Sequence, residues 1–350
     1  MKRIHSSHAI KARQGGLTLV ELMIGLVIGL VMTGAISFLF IDASRNYRVT
    51  DNLSRMQETS RFVLDKIGRD ARGAGYYGCA GEEALLDNLL NNASSYLYNF
   101  GTAVEAHVAP ATGWPTSMSG FGSPTVRDDF DTTNASSQAV TPIPGSHILA
   151  LRGVPDGGIS VHAQPEGTSI KFSVTNALSE NDIVLVTTCK EAVVLQITGI
   201  QPPQSANDFT NATHRRDQTH FPGNDRPKTW ADVIDGEVMH IATMTYFIAN
   251  HPYHQRRSLF RRIGANPAVE VGRNVVGMQI FGGLDTDGDR QIESFVPTSD
   301  PNWGTSNDWD DVRAIRVQLT LQSEDTGIGP NGGPLTYTTT TTIALRNRLP

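Results

Sequence analysis

The chain has 350 residues, 39% of them hydrophobic, and a formal charge of −6 at pH 7. That length suffices for one large domain or two small ones. The acidic balance excludes nucleic acid and anionic lipid as principal partners.

The first sixteen residues run against this balance. They hold Lys2, Arg3, Lys11 and Arg13 and no acid, so without them the formal charge falls to −10. Residues 17–41 then form an apolar run with one charge inside it, Glu21. Twenty-five residues at a rise of ~1.5 Å reach about 37 Å, enough to cross a ~30 Å hydrocarbon core with some tilt. Gly25 and Gly29 stand at the Gly-x-x-x-Gly spacing that lets helices approach closely, a spacing common by chance in membrane helices. The leader's cations precede the run, so the positive-inside rule keeps the leader cytoplasmic and sends everything after residue 41 across the membrane.

A secretory signal is cut after its apolar region, at small residues. Here the small pair Gly15-Gly16 comes before it. Cleavage after Gly16 removes the basic leader alone, makes Leu17 the new N-terminus and leaves Glu21 as the fifth residue. A carboxylate near a bilayer centre costs about 2.5–3.5 kcal/mol on insertion scales and needs a reason. Either Glu21 sits near enough to the membrane edge to reach headgroups, or it pairs with a cation inside an assembly.

Gly16 followed by Leu17-Thr18-Leu19-Val20-Glu21-Leu22 resembles the class III signal of type IV prepilins and pseudopilins. The family's usual first mature residue is Phe, and Leu17 is a conservative departure. The resemblance implies cleavage after Gly16 by a prepilin peptidase, N-methylation of Leu17, and pairing of Glu21 with a freed N-terminal amine in a filament.

Beyond residue 41 the pattern turns amphipathic without a break. Val49, Leu53, Met56, Val63 and Ile67 fall at helical spacing with Ser60 in the gap, while charged residues up to Arg69 and Asp70 occupy most of the remainder. Gly68, Gly73 and Gly75 supply stop signals. The spacing predicts one helix over 17–72, about 84 Å long if straight. Residues 17–41 suit lipid or a filament core, and 42–72 present one stripe to a globular head formed by 73–350.

The segment Arg69-Asp70-Ala71-Arg72-Gly73-Ala74-Gly75-Tyr76-Tyr77-Gly78-Cys79 resembles the PilW family of minor pilins. So do the run ending in Cys189, the stretch 275–282 with the following Asp285-Thr286-Asp287-Gly288-Asp289, and the C-terminal Thr342-Ile343-Ala344-Leu345-Arg346-Asn347. The resemblance is thin over 82–144 and 201–235. Residues 91–141 and 202–232 read as loops that hold short unplaced elements or are surface insertions meeting partners. Strands are expected at 147–151, 168–174, 182–187, 192–197, 238–248, 258–263, 275–281, 312–322 and 337–345. Alternation is clearest over 312–322, and Asn250-His251-Pro252-Tyr253 reads as a hairpin turn. The expected class is α+β and pilin-like: a long N-terminal helix on a mostly antiparallel sheet.

Cys79 and Cys189, across an oxidising compartment, are either one disulfide or two separate buried thiols. A bond would close a loop of about 110 residues, worth roughly 4–5 kcal/mol by chain entropy. Asp285, Asp287, Asp289 and Glu293 are the candidate metal ligands. Hard oxygens at this density favour calcium. Yet position twelve is Val296 where an EF-hand has glutamate, and glycine falls at four instead of six, so the other reading is a solvated acidic turn. His214, His220, His240, His251 and His254 have no zinc-like spacing to cysteine or carboxylate; His251 and His254 flank the expected turn and read as solvated loop residues, not ligands. Arg256-Arg257 and Arg261-Arg262 read as alternating strand faces. No nucleophile elbow, phosphate-binding glycine loop, zincin helix or kinase signature is present, so no catalytic residue is named.

The expectation is a structural, non-enzymatic minor pilin with no required cofactor. It would sit in the inner membrane by one span with a periplasmic head, and then in a pilus, at its tip. The resemblance implies roles in priming and assembly, twitching motility and adhesion. It also implies partners among other minor pilins, the major pilin, a tip adhesin and the prepilin peptidase, but no nucleic acid. The alternatives are the large minor pseudopilin of a type II secretion system and, from another class, a membrane-anchored periplasmic binding protein or enzyme.

Overall fold

The computed structural model describes residues 16, 18–78, 86–118, 120–127, 137–155, 160–173, 178–188, 190–204, 209–231, 234–289, 291–303 and 308–348. The chain divides into two compact units, Met1–Asn52 and Leu53–Pro350. One helix, α1 (Leu19–Gly73), runs through the boundary between them.

In the first unit the apolar residues of α1 are solvent-facing; Leu19, Leu30 and Phe40 are each at least two-thirds exposed. The hydroxyls in this stretch are satisfied within the helix. Thr33 Oγ1 donates to the Gly29 carbonyl at 2.8 Å and Ser37 Oγ to the Thr33 carbonyl at 2.8 Å. This is the arrangement an apolar phase requires, since an unbonded polar group there is costly.

In the second unit Met56, Ser60, Val63, Ile67 and Ala71 are buried, so the stripe read from the sequence is the packed face. It continues through Asp70, which the periodicity placed with the exposed charges and which is fully buried. Gly68 does not end the helix. The stop comes at Gly73, whose Cβ position lies 2.4 Å from the Val154 carbonyl oxygen, followed by Gly75 at a φ of 67°.

Nineteen strands follow among the described residues. The first six are β1 (Leu86–Asn88), β2 (Val104–Val108), β3 (Thr125–Arg127), β4 (Ser137–Ala139), β5 (His147–Gly153) and β6 (Ser160–Glu166). Then come β7 (Ser169–Phe172), β8 (Ile183–Thr187), β9 (Ala192–Gln196), β10 (Gly199–Gln201), β11 (Thr210–Thr213) and β12 (Gly236–His240). The last seven are β13 (Ala242–Asn250), β14 (Arg257–Ile263), β15 (Val269–Arg273), β16 (Val275–Leu284), β17 (Ser294–Pro297), β18 (Val312–Gln322) and β19 (Thr336–Ala344). The single strand expected over 238–248 is two, β12 and β13, which join different sheets. The two thin regions contain β1, β2, β3, β4 and β11, too short for a legible alternation.

Three main sheets result. One has the order β15-β14-β13-β5-β2, a second β17-β16-β18-β19, and an eight-stranded third β1-β9-β8-β12-β6-β7-β11-β10. All pairings are antiparallel except β1 with β9. The helix stripe shares one core with Leu149, Leu151, Met244 and Tyr246 of the five-stranded sheet and with Met278, Ile280, Val317 and Leu319 of the four-stranded sheet. The other face of the five-stranded sheet buries Phe247 and Phe260 against Phe100 and Phe121 of the loop-rich region. The fold is thus the α+β arrangement expected: a long N-terminal helix with mostly antiparallel sheets.

Candidate assembly surfaces and the aspartate loop

The N-terminal site is built around the first turn of α1. Thr18 precedes the helix and Glu21 is its third residue. Glu21 Oε2 accepts from the Thr18 backbone N–H and from Thr18 Oγ1, each at 3.0 Å. Thr18 Oγ1 accepts from the Glu21 N–H at 3.2 Å. This reciprocal pair is a capping box, which satisfies two of the otherwise orphaned N–H groups at a helix start. The Thr-x-x-Glu spacing was there to be read in the sequence, and it adds a local role for Glu21 to the two readings above. Gly16 is exposed; Leu17 lies outside the described residues.

Within the head, a buried polar knot ties the helix to the sheet. Arg261 of β14 donates to Asp70 through Nε at 2.6 Å and Nη2 at 2.8 Å, and the Tyr246 hydroxyl of β13 donates to Asp70 Oδ2 at 2.5 Å. Burial, together with the charge of Asp70, pushes the Tyr246 hydroxyl pKa far up. Arg261 is held above its ordinary value: burial disfavours its charge, but the Asp70 carboxylate outweighs that. The sequence signal for Asp70 was its place at 63, 67, 70 on the apolar period.

A second buried cation, Arg152, sits on the opposite face of the five-stranded sheet. It donates to the Tyr96 carbonyl at 3.0 and 3.2 Å, to the Thr102 carbonyl at 3.0 Å and to Glu105 Oε2 at 2.6 Å. Burial pushes Glu105 up, but His107 Nε2 at 2.8 Å and Arg152 prevail and hold its pKa at about 2.

The aspartate loop follows β16. One ligand oxygen each from Asp285, Asp287, Asp289 and Glu293 lies within 4.8 Å of every other, so the structure brings the four predicted carboxylates together. Asp285 is buried and the other three are exposed. The loop is shaped by its own carboxylates. Asp285 Oδ1 accepts from the Gly288 N–H at 2.9 Å, with Gly288 at a φ of 78°, and Glu293 Oε2 accepts from the Thr286 N–H at 2.8 Å. Arg313 of β18 donates to Asp285 Oδ2 at 3.0 Å. Four hard oxygen donors in this space suit a calcium-sized cation, with Arg313 already neutralising the buried member.

The histidines divide. His251 and His254 stack with ring centroids 3.9 Å apart, and Glu270 of β15 completes a cluster with them, a carboxylate no local spacing announced. His251 is buried, contrary to its reading as a solvated loop residue. The Nδ1 atoms of His251 and His254 accept from the N–H groups of Tyr253 and Arg256 at 3.3 Å. A neutral ring accepting at Nδ1 carries its proton on Nε2, and His254 Nε2 faces Glu270 Oε1 at 3.2 Å. One ligand atom from each of the three residues lies within 4.8 Å of the others. His214 is buried, its Nε2 beside the Lys228 carbonyl at 3.0 Å. His220 pairs with Asp217, and His240 lies 3.7 Å from Asp182. Cys79 and Cys189 lie outside the described residues, but Thr187 Oγ1 donates to the Tyr77 carbonyl at 2.9 Å.

The family model described as Type IV Pilus-assembly protein W matches residues 245–347. The model of the prokaryotic N-terminal methylation motif matches residues 11–37. The chain carries a PilW region behind a prepilin-type methylation motif. No curated protein and no solved structure matches it. The PilW region takes in Tyr246, Arg261, the aspartate loop and β19, whereas Asp70, which Arg261 holds, comes from the helix outside it. Together the two matches support a pilus component of the minor pilin kind, and the apolar N-terminal helix fits a membrane-anchored one.

Proposed function

We propose that the protein is a minor pilin that primes a type IV pilus and takes a place at its tip, supporting twitching motility and adhesion. The observation that carries this reading is a conjunction in one chain. A methylation motif runs directly into a helix whose apolar stretch has no cover, and the head carries the PilW region. An apolar helix stretch left uncovered must be solvated by lipid or by other helices. Cleavage after Gly16 leaves that helix on the mature protein, with Leu17 as its methylated terminus and Glu21 placed to pair with the terminal amine of a neighbouring subunit. The capping box aims the carboxylate at the helix start, where positive charge gathers.

Two features of the head belong to the same reading. The aspartate loop takes calcium through Asp285, Asp287, Asp289 and Glu293, supported by the convergence of their oxygens. Cys79 and Cys189 form a disulfide, supported by the contact of Thr187 with Tyr77, which brings the chain preceding each cysteine together.

Intact mass of the protein from membranes and from sheared surface filaments tests the reading. The expected species begins at Leu17, carries one methyl and is present in the filaments. A species that retains residues 1–16 and is absent from filaments overturns it.

A further inference from the structure

The four-stranded sheet has two edges of different character. β17 is short and ends in Pro297, a residue that blunts an edge because it cannot donate to a new ladder. β19 is nine residues long and holds nine consecutive antiparallel pairs with β18, from Ala314 with Ala344 to Gln322 with Thr336. On its other side, among the described residues, it has neither a strand nor a backbone hydrogen bond. Such an edge is a template for another chain, and folded proteins normally protect it with lysine, proline, a bulge or a covering element. Thr336–Ala344 contains no proline and no charge, its register has no bulge, and its five consecutive threonines favour extended pairing.

This edge borders a groove of about 850 Å³. Residues from both faces of β19 line it and none from β18 does, so the strand presents its edge rather than a face. The opposite wall is one face of α1, carrying Arg61, Leu64, Asp65, Gly68 and Arg72. Glycine at position 68 is unfavourable in a helix interior relative to alanine. No clash demands it, since a Cβ there would meet Arg72 Nη1 at 3.5 Å and Ile343 Cδ1 at 4.0 Å. Its effect is to leave the groove between helix and strand open.

The groove is also charged. Arg61, Arg72 and Arg346 line it, and among the described residues none has a carboxylate partner. The acid of the lining, Asp65, is held by Arg69. Three guanidiniums without counter-charge beside an unpaired strand edge define the occupant.

We propose that an extended acidic segment of a partner protein adds to β19 as a fifth strand, its carboxylates meeting Arg61, Arg72 and Arg346. Main-chain bonds along the edge would supply affinity, and forked arginine–carboxylate pairs would set register and partner choice. The site is distinct from the apolar helix and from the aspartate loop, so it stands whether or not the chain enters a pilus.

The test uses the full chain in detergent micelles and a fluorescein-labelled nonapeptide of alternating threonine and glutamate. Fluorescence anisotropy should show binding that weakens at least tenfold in the Arg61→Glu/Arg72→Glu variant, both exposed positions. The lysine counterpart of the peptide should not bind. Hydrogen exchange of alternate amides in Thr336–Ala344 should slow at least tenfold when the acidic peptide is bound. Absence of binding overturns the proposal, and so does binding without protection of β19, which would be adsorption by charge alone. A light-scattering mass of two chains with β19 already protected also overturns it, because a second copy would then occupy the edge.

Discussion

Asp70 of the helix and Arg261 of β14, 191 positions apart in the chain, form a two-pronged ion pair in which the carboxylate is fully buried. The pair is the polar centre of an otherwise apolar helix–sheet contact. Removing one member strands the other charge without water. Asp70→Ala is expected to cost about 3–5 kcal/mol, because a buried guanidinium then lacks its counter-charge. Thermal unfolding of the full chain should shift down by roughly 6–20 °C for a domain of this size. A shift below 2 °C would show that Arg261 finds another partner.

Acid stability should report on Glu105. Its folded pKa of about 2 lies below the ordinary 4.5, so the native state binds fewer protons than the unfolded state between those values. The stabilisation is present above pH 4.5 and is lost as pH falls through that window, with a total of about 3 kcal/mol. Denaturant unfolding at a series of pH values should show this slope, and Glu105→Gln should flatten it.

Glu21 caps the helix and, in the proposed function, also pairs with a terminal amine, and a single alanine cannot separate the two. Glutamine preserves the capping box, which accepts either residue, but carries no charge. If pairing with a terminal amine drives assembly, Glu21→Gln should enter filaments as poorly as Glu21→Ala, while both reach the membrane. Filament incorporation of the glutamine variant at the level of the parent would leave only the cap.

Calcium titrated calorimetrically into the full chain should release or absorb heat at millimolar to submillimolar concentration, the range of extracellular oxygen-ligand loops. Asp287→Ala, an exposed member of the set, should abolish that heat without lowering thermal stability in chelator. No heat from the parent protein ends the calcium reading.

Peptide mapping without reduction should recover a fragment linking Cys79 to Cys189. Reduction should then destabilise the head by roughly 4–5 kcal/mol, the chain-entropy value for a loop of about 110 residues. Two alkylatable thiols in the folded protein would contradict the bond.

Much of the architecture was legible because it is written in short periods. The apolar run from 17 to 41, the stripe through Met56, Val63 and Ile67, and the alternation of β18 each need only neighbouring residues to be recognised. Strands such as β1, β3 and β10, three residues each, offer no period at all and were lost among polar loops. The capping box of Thr18 and Glu21 is equally local, written in a Thr-x-x-Glu spacing at the start of the apolar run.

The sequence by itself determined the apolar segment, the long helix, the family resemblance and the four carboxylates of the aspartate loop, because each depends on residues adjacent in the chain. Tertiary structure decided that Asp70 is buried with Arg261, that Glu270 meets His251 and His254, and that the outer edge of β19 has no strand partner among the described residues. The reason is that burial of a charge and the pairing of a strand edge are set by which distant segments pack together. Hydrophobic periodicity says which face turns inward, but not what stands opposite it.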